Sequence, residues 1–80
     1  KDDNLFVNIN TDVTDLEAIS KVLTGVFPYV ELKRLDTLEK GLDLTFLCKA
    51  KDLSQIAQAQ QVITKISPAT RLSIVEQPEW

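Results

Sequence analysis

Few residues in this 80-residue chain could carry chemistry, and their types limit what that chemistry could be. Histidine is absent, and Cys48 is the single cysteine. Proton transfer near neutral pH falls most often to histidine, and a nucleophilic thiol needs a neighbouring base, so a Cys–His pair is excluded at the outset. A structural zinc ion takes several Cys or His ligands, and this chain can offer one. Cys48 shares the alternation of Leu42, Leu44, Phe46 and Ala50, which predicts a small, inert core residue.

The carboxylates are no better organised. Asp2, Asp3, Asp12 and Asp15 lack the one-three-five ligand spacing and terminal glutamate of a calcium loop, so helix capping and solvation are their expected roles. Thr11-Asp12-Val13 contains no glycine to bring backbone amides against a phosphate. Lys33-Arg34, Lys49 and Lys51 put positive charge on or near one hairpin, where a solvated edge that discourages strand pairing is expected. A net charge of −3 disfavours nucleic acid as a partner, and Phe6 stands alone opposite Thr45 and Leu47 where an RNA-binding sheet would stack several bases. No catalytic, cofactor-binding or metal-ligating residue is assigned, and the chain is expected not to be an enzyme.

The elements that position these residues follow from hydrophobic period. Leu5, Val7 and Ile9 alternate with Phe6, Asn8 and Asn10, the pattern of a half-buried strand. Thr14-Asp15-Leu16-Glu17 reads as a capping box, followed by Leu16, Ile19, Leu23 and Val26 at helical spacing, with Gly25 and Pro28 supplying the stop. Tyr29 to Leu35 predicts a second strand with Val30 and Leu32 on one face and Tyr29, Glu31, Lys33 and Leu35 on the other. A turn over Thr37–Gly41 leads into a third strand, whose second face holds Asp43, Thr45, Leu47 and Lys49. Asp52 and Gln55 form a second capping-box pattern, and Leu53, Ile56, Ala59, Ile63 and Ile66 run along one helical face as far as Pro68. Leu72 and Ile74 then oppose Arg71, Ser73 and Val75 in a fourth strand that ends before Pro78.

The order is βαββαβ. Two strand-helix-strand halves joined by a hairpin predict an α+β, ferredoxin-like sandwich, with a four-stranded antiparallel sheet and both helices on one face. Residues 1–80 are too few for two independent cores, so one domain is expected. The sheet face away from the helices is expected to carry Phe6, Asn8, Tyr29, Leu35, Thr45, Leu47, Arg71 and Val75, a mixture too apolar for simple solvation. No run approaches the ~20 apolar residues of a membrane span, and a lone cysteine fits a reducing, cytoplasmic setting. The opening Lys1-Asp2-Asp3-Asn4, with no methionine in the chain, predicts a domain excised from a longer protein.

In element order and length the chain resembles the ACT-like group of small-molecule-sensing regulatory domains. It departs from them at Asn10-Thr11-Asp12-Val13-Thr14, where amino-acid-binding members carry an Asp-x-Pro-Gly-like turn. Tyr29-Val30-Glu31-Leu32-Lys33-Arg34-Leu35 followed by Gly41-Leu42-Asp43-Leu44-Thr45-Phe46 is similar to the hairpin of C-terminal cytosolic domains in uncharacterised bacterial multipass membrane proteins, including the family of the magnesium-stress virulence membrane protein. That resemblance implies a non-catalytic regulatory or oligomerisation domain of a bacterial inner-membrane protein, pairing with a second copy or with its parent through the open face. The alternative is a sensor of a small molecule or ion, using Asn10, Thr11 and Asp12 beside the first helix.

Overall fold

The computed structural model describes residues 3–76, with side chains from residue 4 onward. The Asp2 and Asp3 carboxylates and the stop at Pro78 lie outside the described residues. The elements are β1 (Asp3–Thr11), α1 (Leu16–Thr24), β2 (Tyr29–Leu38), β3 (Gly41–Ala50), α2 (Leu53–Thr64) and β4 (Arg71–Glu76). The strands form one antiparallel sheet in the order β2-β3-β1-β4, which is the ferredoxin-like arrangement expected from the sequence.

One face of the sheet and the inner stripes of both helices make the core. Leu5, Val7 and Ile9 of β1, Leu42, Leu44, Phe46, Cys48 and Ala50 of β3, Ile19 and Leu23 of α1, and Ala59 and Ile63 of α2 are buried together. Burial of each larger aliphatic side chain here stabilises the fold by ~2 kcal/mol. Val26 and Phe27, just past α1, also enter this core. Their amides both bond back to the Leu23 carbonyl, at 3.0 and 2.9 Å, and this turns the chain inward. Gly25 caps α1 with φ −75°, so the helix ends without a left-handed residue.

The first capping box is displaced by one residue. Asp15, not Thr14, is the N-cap of α1, and its Oδ1 accepts from the Ala18 amide at 3.1 Å. Glu17 then falls inside the first turn, where its charge favours the helix dipole instead of closing a reciprocal bond. Asp52 caps α2 as expected, accepting from the Ser54 amide at 2.9 Å, while Gln55 Oε1 accepts from the Lys51 amide at 2.7 Å. Leu53 does not join the buried stripe of α2, because at the first helical position it points outward and is 80% exposed.

Two features of the hairpin were not expected. β2 runs on to Leu38, so the connection is only Glu39 and Lys40. Gly41 closes it with φ 131°, and a Cβ there would lie 1.9 Å from the Thr11 carbonyl oxygen. β2 also carries a bulge: Leu32 pairs with Phe46 and Arg34 with Thr45, leaving Lys33 as an extra residue. The bulge reverses the phase of everything that follows. Leu35 therefore lies opposite Leu44 on the helix side, and Arg34 moves to the open face. The open-face position expected for Leu35 is thus corrected. Regular alternation would have turned Arg34 to the helix side, where Leu35 now lies.

Candidate functional site

Strand pairing sets out the open face row by row. At one edge Tyr29 lies opposite Lys49, and the Lys49 ammonium sits 5.2 Å from the centre of the Tyr29 ring, in range for a cation–π contact. The next row reads Glu31, Leu47, Phe6 and Val75 across all four strands. Below it come Arg34, Thr45, Asn8 and Ser73, and then Asp36, Asp43, Asn10 and Arg71.

The second row is the apolar feature of this face. Phe6 and Leu47 are half-buried against their neighbours, and Val75 is 62% exposed. Tyr29 flanks them at 42% exposure. Its hydroxyl donates to Glu31 Oε1 at 2.9 Å, and Glu31 also meets the Lys33 ammonium at 3.4 Å. Donation to Glu31 raises the phenol above its usual range. The same bond, with Lys33 beside it, holds the Glu31 carboxyl below its ordinary value. The apolar row is thus bordered on the β2 side by the Glu31 carboxylate, which its Tyr29 and Lys33 partners keep ionised at neutral pH.

The β2, β3 and β1 parts of the polar rows are bonded largely among themselves. The Asn8 Nδ2 group donates toward Asp43 Oδ1 at 2.8 Å, Leu44 O at 3.0 Å and Thr45 Oγ1 at 3.1 Å, tying β1 to β3 across the middle of the sheet. Asp36 and Asp43 lie directly opposite one another, a repulsive cross-strand pair. Arg34 Nε donates to Asp36 Oδ2 at 2.8 Å, and Asn8 donates to Asp43, so each carboxylate has its own partner.

The structure brings Phe6, Asn8, Tyr29, Thr45, Leu47, Arg71 and Val75 onto one face and removes Leu35 from it. Asn10, Thr11 and Asp12 do not converge. Asn10 and Thr11 are strand residues on opposite faces, and Asp12 is exposed beyond the strand end. The Thr11 hydroxyl is buried, 2.9 Å from Thr70 Oγ1, and it accepts from the Val13 amide at 3.1 Å. It closes the end of β1 and is turned away from any ligand that would approach Asn10. Sequence reasoning missed Arg34 and Asp36 as open-face residues. The signal was the step of three from Leu32 to Leu35, where an unbroken strand would have had two.

Cys48 is fully buried opposite Leu5 and Val30, and burial pushes its thiol up to about 12. A thiol held neutral in this way is a poor nucleophile. Among the described residues no three of His, Cys, Asp and Glu come together in a set that could hold a metal ion. An open depression of about 500 Å³ lies around Ala50, Asp52, Leu53, Ser54 and Ile56, on the far side of the sheet from the Phe6 row. No helix among the described residues is long and apolar enough to cross a membrane.

No known protein family and no curated protein matches this chain. Among solved structures it is similar to a de novo designed protein, Foldit4, with a TM-score of 0.64 over the whole of both chains at 9% sequence identity. At that identity the likeness belongs to the fold alone, the four-stranded ferredoxin-like sandwich described above.

Proposed function

We propose that this chain is a non-catalytic regulatory or oligomerisation domain that works by protein contact through the open face of its sheet. The observation that carries the reading is the row Leu47-Phe6-Val75. It is an apolar strip on adjacent strands, on a face that no helix among the described residues covers, next to the Tyr29 ring. Aromatic and aliphatic residues grouped on an exposed face, with charge confined to the border, are the composition of a protein-contact patch. The buried, neutral Cys48 thiol and the internally bonded Asn8 and Thr11 favour contact over catalysis or ligand capture. Attachment to a bacterial membrane protein, in the manner of an ACT-like tail, rests on the likeness of the Tyr29–Phe46 hairpin.

Sedimentation equilibrium over a rising concentration series tests the reading. Association is expected in the wild-type domain, with Val75→Asp and Leu47→Asp each raising its dissociation constant about tenfold by placing a charge in the contact. Val75 is already exposed, so its replacement leaves the fold intact and separates lost contact from lost structure. A wild-type domain that stays monomeric throughout, or variants that associate as the wild type does, would remove the proposal. A melting temperature that climbs with added amino acid, nucleotide or divalent cation would replace it with the sensor reading.

A further inference from the structure

A second surface lies at the β2 edge, away from the Phe6 row. β2 is one of the two outer strands of the sheet, so among the described residues no strand lies beside its outward backbone groups. Its helix-side residues Leu32 and Leu35 are 40% and 42% exposed. On the open side, Arg34 and Asp36 flank Leu35 and pair with each other at 2.8 Å. Exposed leucines on an edge strand invite another strand, and the charges beside them decide which one fits.

We propose that β2 pairs antiparallel with β2 of a second copy of this chain, with Leu35 on the two-fold axis. Two antiparallel strands centred on one residue place its preceding neighbour opposite its following neighbour in the other copy. Centred on Leu35, Arg34 of each copy meets Asp36 of the other, twice, while the two Leu35 side chains meet on the helix side. Shifting the axis to Asp36 sets the two Asp36 carboxylates against each other. Shifting it between Lys33 and Arg34 opposes Lys33 to Arg34 and Glu31 to Asp36. Both shifted registers place like charge against like, and in the Leu35-centred one Arg34, Leu35 and Asp36 pair among themselves inside the straight run Arg34–Leu38 that follows the bulge.

The bulge at Lys33 limits pairing to that short run, which favours a closed two-fold pair over an open-ended stack. Pairing in this register joins two four-stranded sheets edge to edge with both Phe6 rows on the same side. The edge contact is therefore separate from the face contact proposed above and would double the apolar surface offered there.

Disulfide trapping tests the register. Directly opposed residues have Cα atoms ~5 Å apart, within disulfide reach, so Leu35→Cys should give a covalent dimer under mild oxidation with oxidised glutathione. Thr37→Cys, on the same side of the strand, would sit ~13 Å from its copy and should cross-link far more slowly. The buried Cys48 should keep the wild-type chain unlinked. In sedimentation equilibrium Arg34→Asp should raise the dissociation constant of the edge pair about tenfold, and the exchange Arg34→Asp with Asp36→Arg should restore it. Val75→Asp should leave the Leu35→Cys cross-link unchanged, which separates this contact from the one on the face. Equal cross-linking at positions 35 and 37, no rescue by the charge exchange, or loss of the cross-link with Val75→Asp would each overturn the proposal.

Discussion

Cys48 was placed in the core by a two-residue alternation alone, and its environment gives a measurable consequence. The folded thiol ionises near 12 against an ordinary value of 9.0. An unfolded chain therefore loses this proton first as pH rises, so the thiol's contribution to stability is intact below about 9 and falls away above it, by ~1 kcal/mol per pH unit at the steepest. Comparing the pH dependence of urea unfolding for wild type and Cys48→Ala isolates this contribution. The wild type should lose stability faster than the variant between pH 9 and 11, and parallel curves would contradict the burial. The α1 cap is a second residue-scale case. Asp15→Ala should cost ~1 kcal/mol, while Thr14→Ala should change stability by less than ~0.5 kcal/mol, read from unfolding midpoints. The capping-box pattern pointed to Thr14, and it misled because Thr14 and Asp15 are both good N-cap types, so residue type does not choose between them.

At the scale of elements, strands and helices were legible wherever one face is buried, because burial imposes a strict period. β3 is the clearest instance, with Leu42, Leu44, Phe46, Cys48 and Ala50 all on the core side. β2 was harder, since it is an edge strand with few buried positions, and its bulge left only the spacing of Leu32 and Leu35 as a sign. α2 was legible in its middle and not at its start. Ile63 is buried and Leu53 is 80% exposed, so Ile63→Ala should cost ~2–5 kcal/mol and Leu53→Ala less than ~0.5 kcal/mol in the same chemical denaturation experiment. The hairpin turn makes a stronger demand. Gly41 combines φ 131° with a Cβ position 1.9 Å from the Thr11 carbonyl oxygen, so Gly41→Ala must move backbone at the junction of β1 and β3. A loss of ~3 kcal/mol or more is expected, and a tolerated alanine would contradict the close approach.

For the whole molecule, the sequence conveyed topology better than purpose. Its 18 Å short axis holds one helical layer on one sheet, and among the described residues no element covers the second sheet face. Which residues occupy that face was legible in β1, β3 and β4, where the alternation is regular, and not beyond Lys33 in β2. Of the residues that suggested a ligand loop, Thr11 is bound into the fold through Thr70, a contact that spans 59 residues of chain and leaves no local pattern. Among the described residues the exposed large apolar side chains are Tyr29 and Val75 beside the Phe6 row, Leu32, Leu35 and Leu38 along β2, and Leu53 at the start of α2. A dilution series followed by amide chemical shifts tests most directly whether the face is the working surface. The account predicts concentration-dependent shifts at Phe6, Leu47 and Val75 that vanish in Val75→Asp, with the outward positions of α2 unmoved. Shifts confined to the helices, or a face whose amides are the same at every concentration, would contradict it.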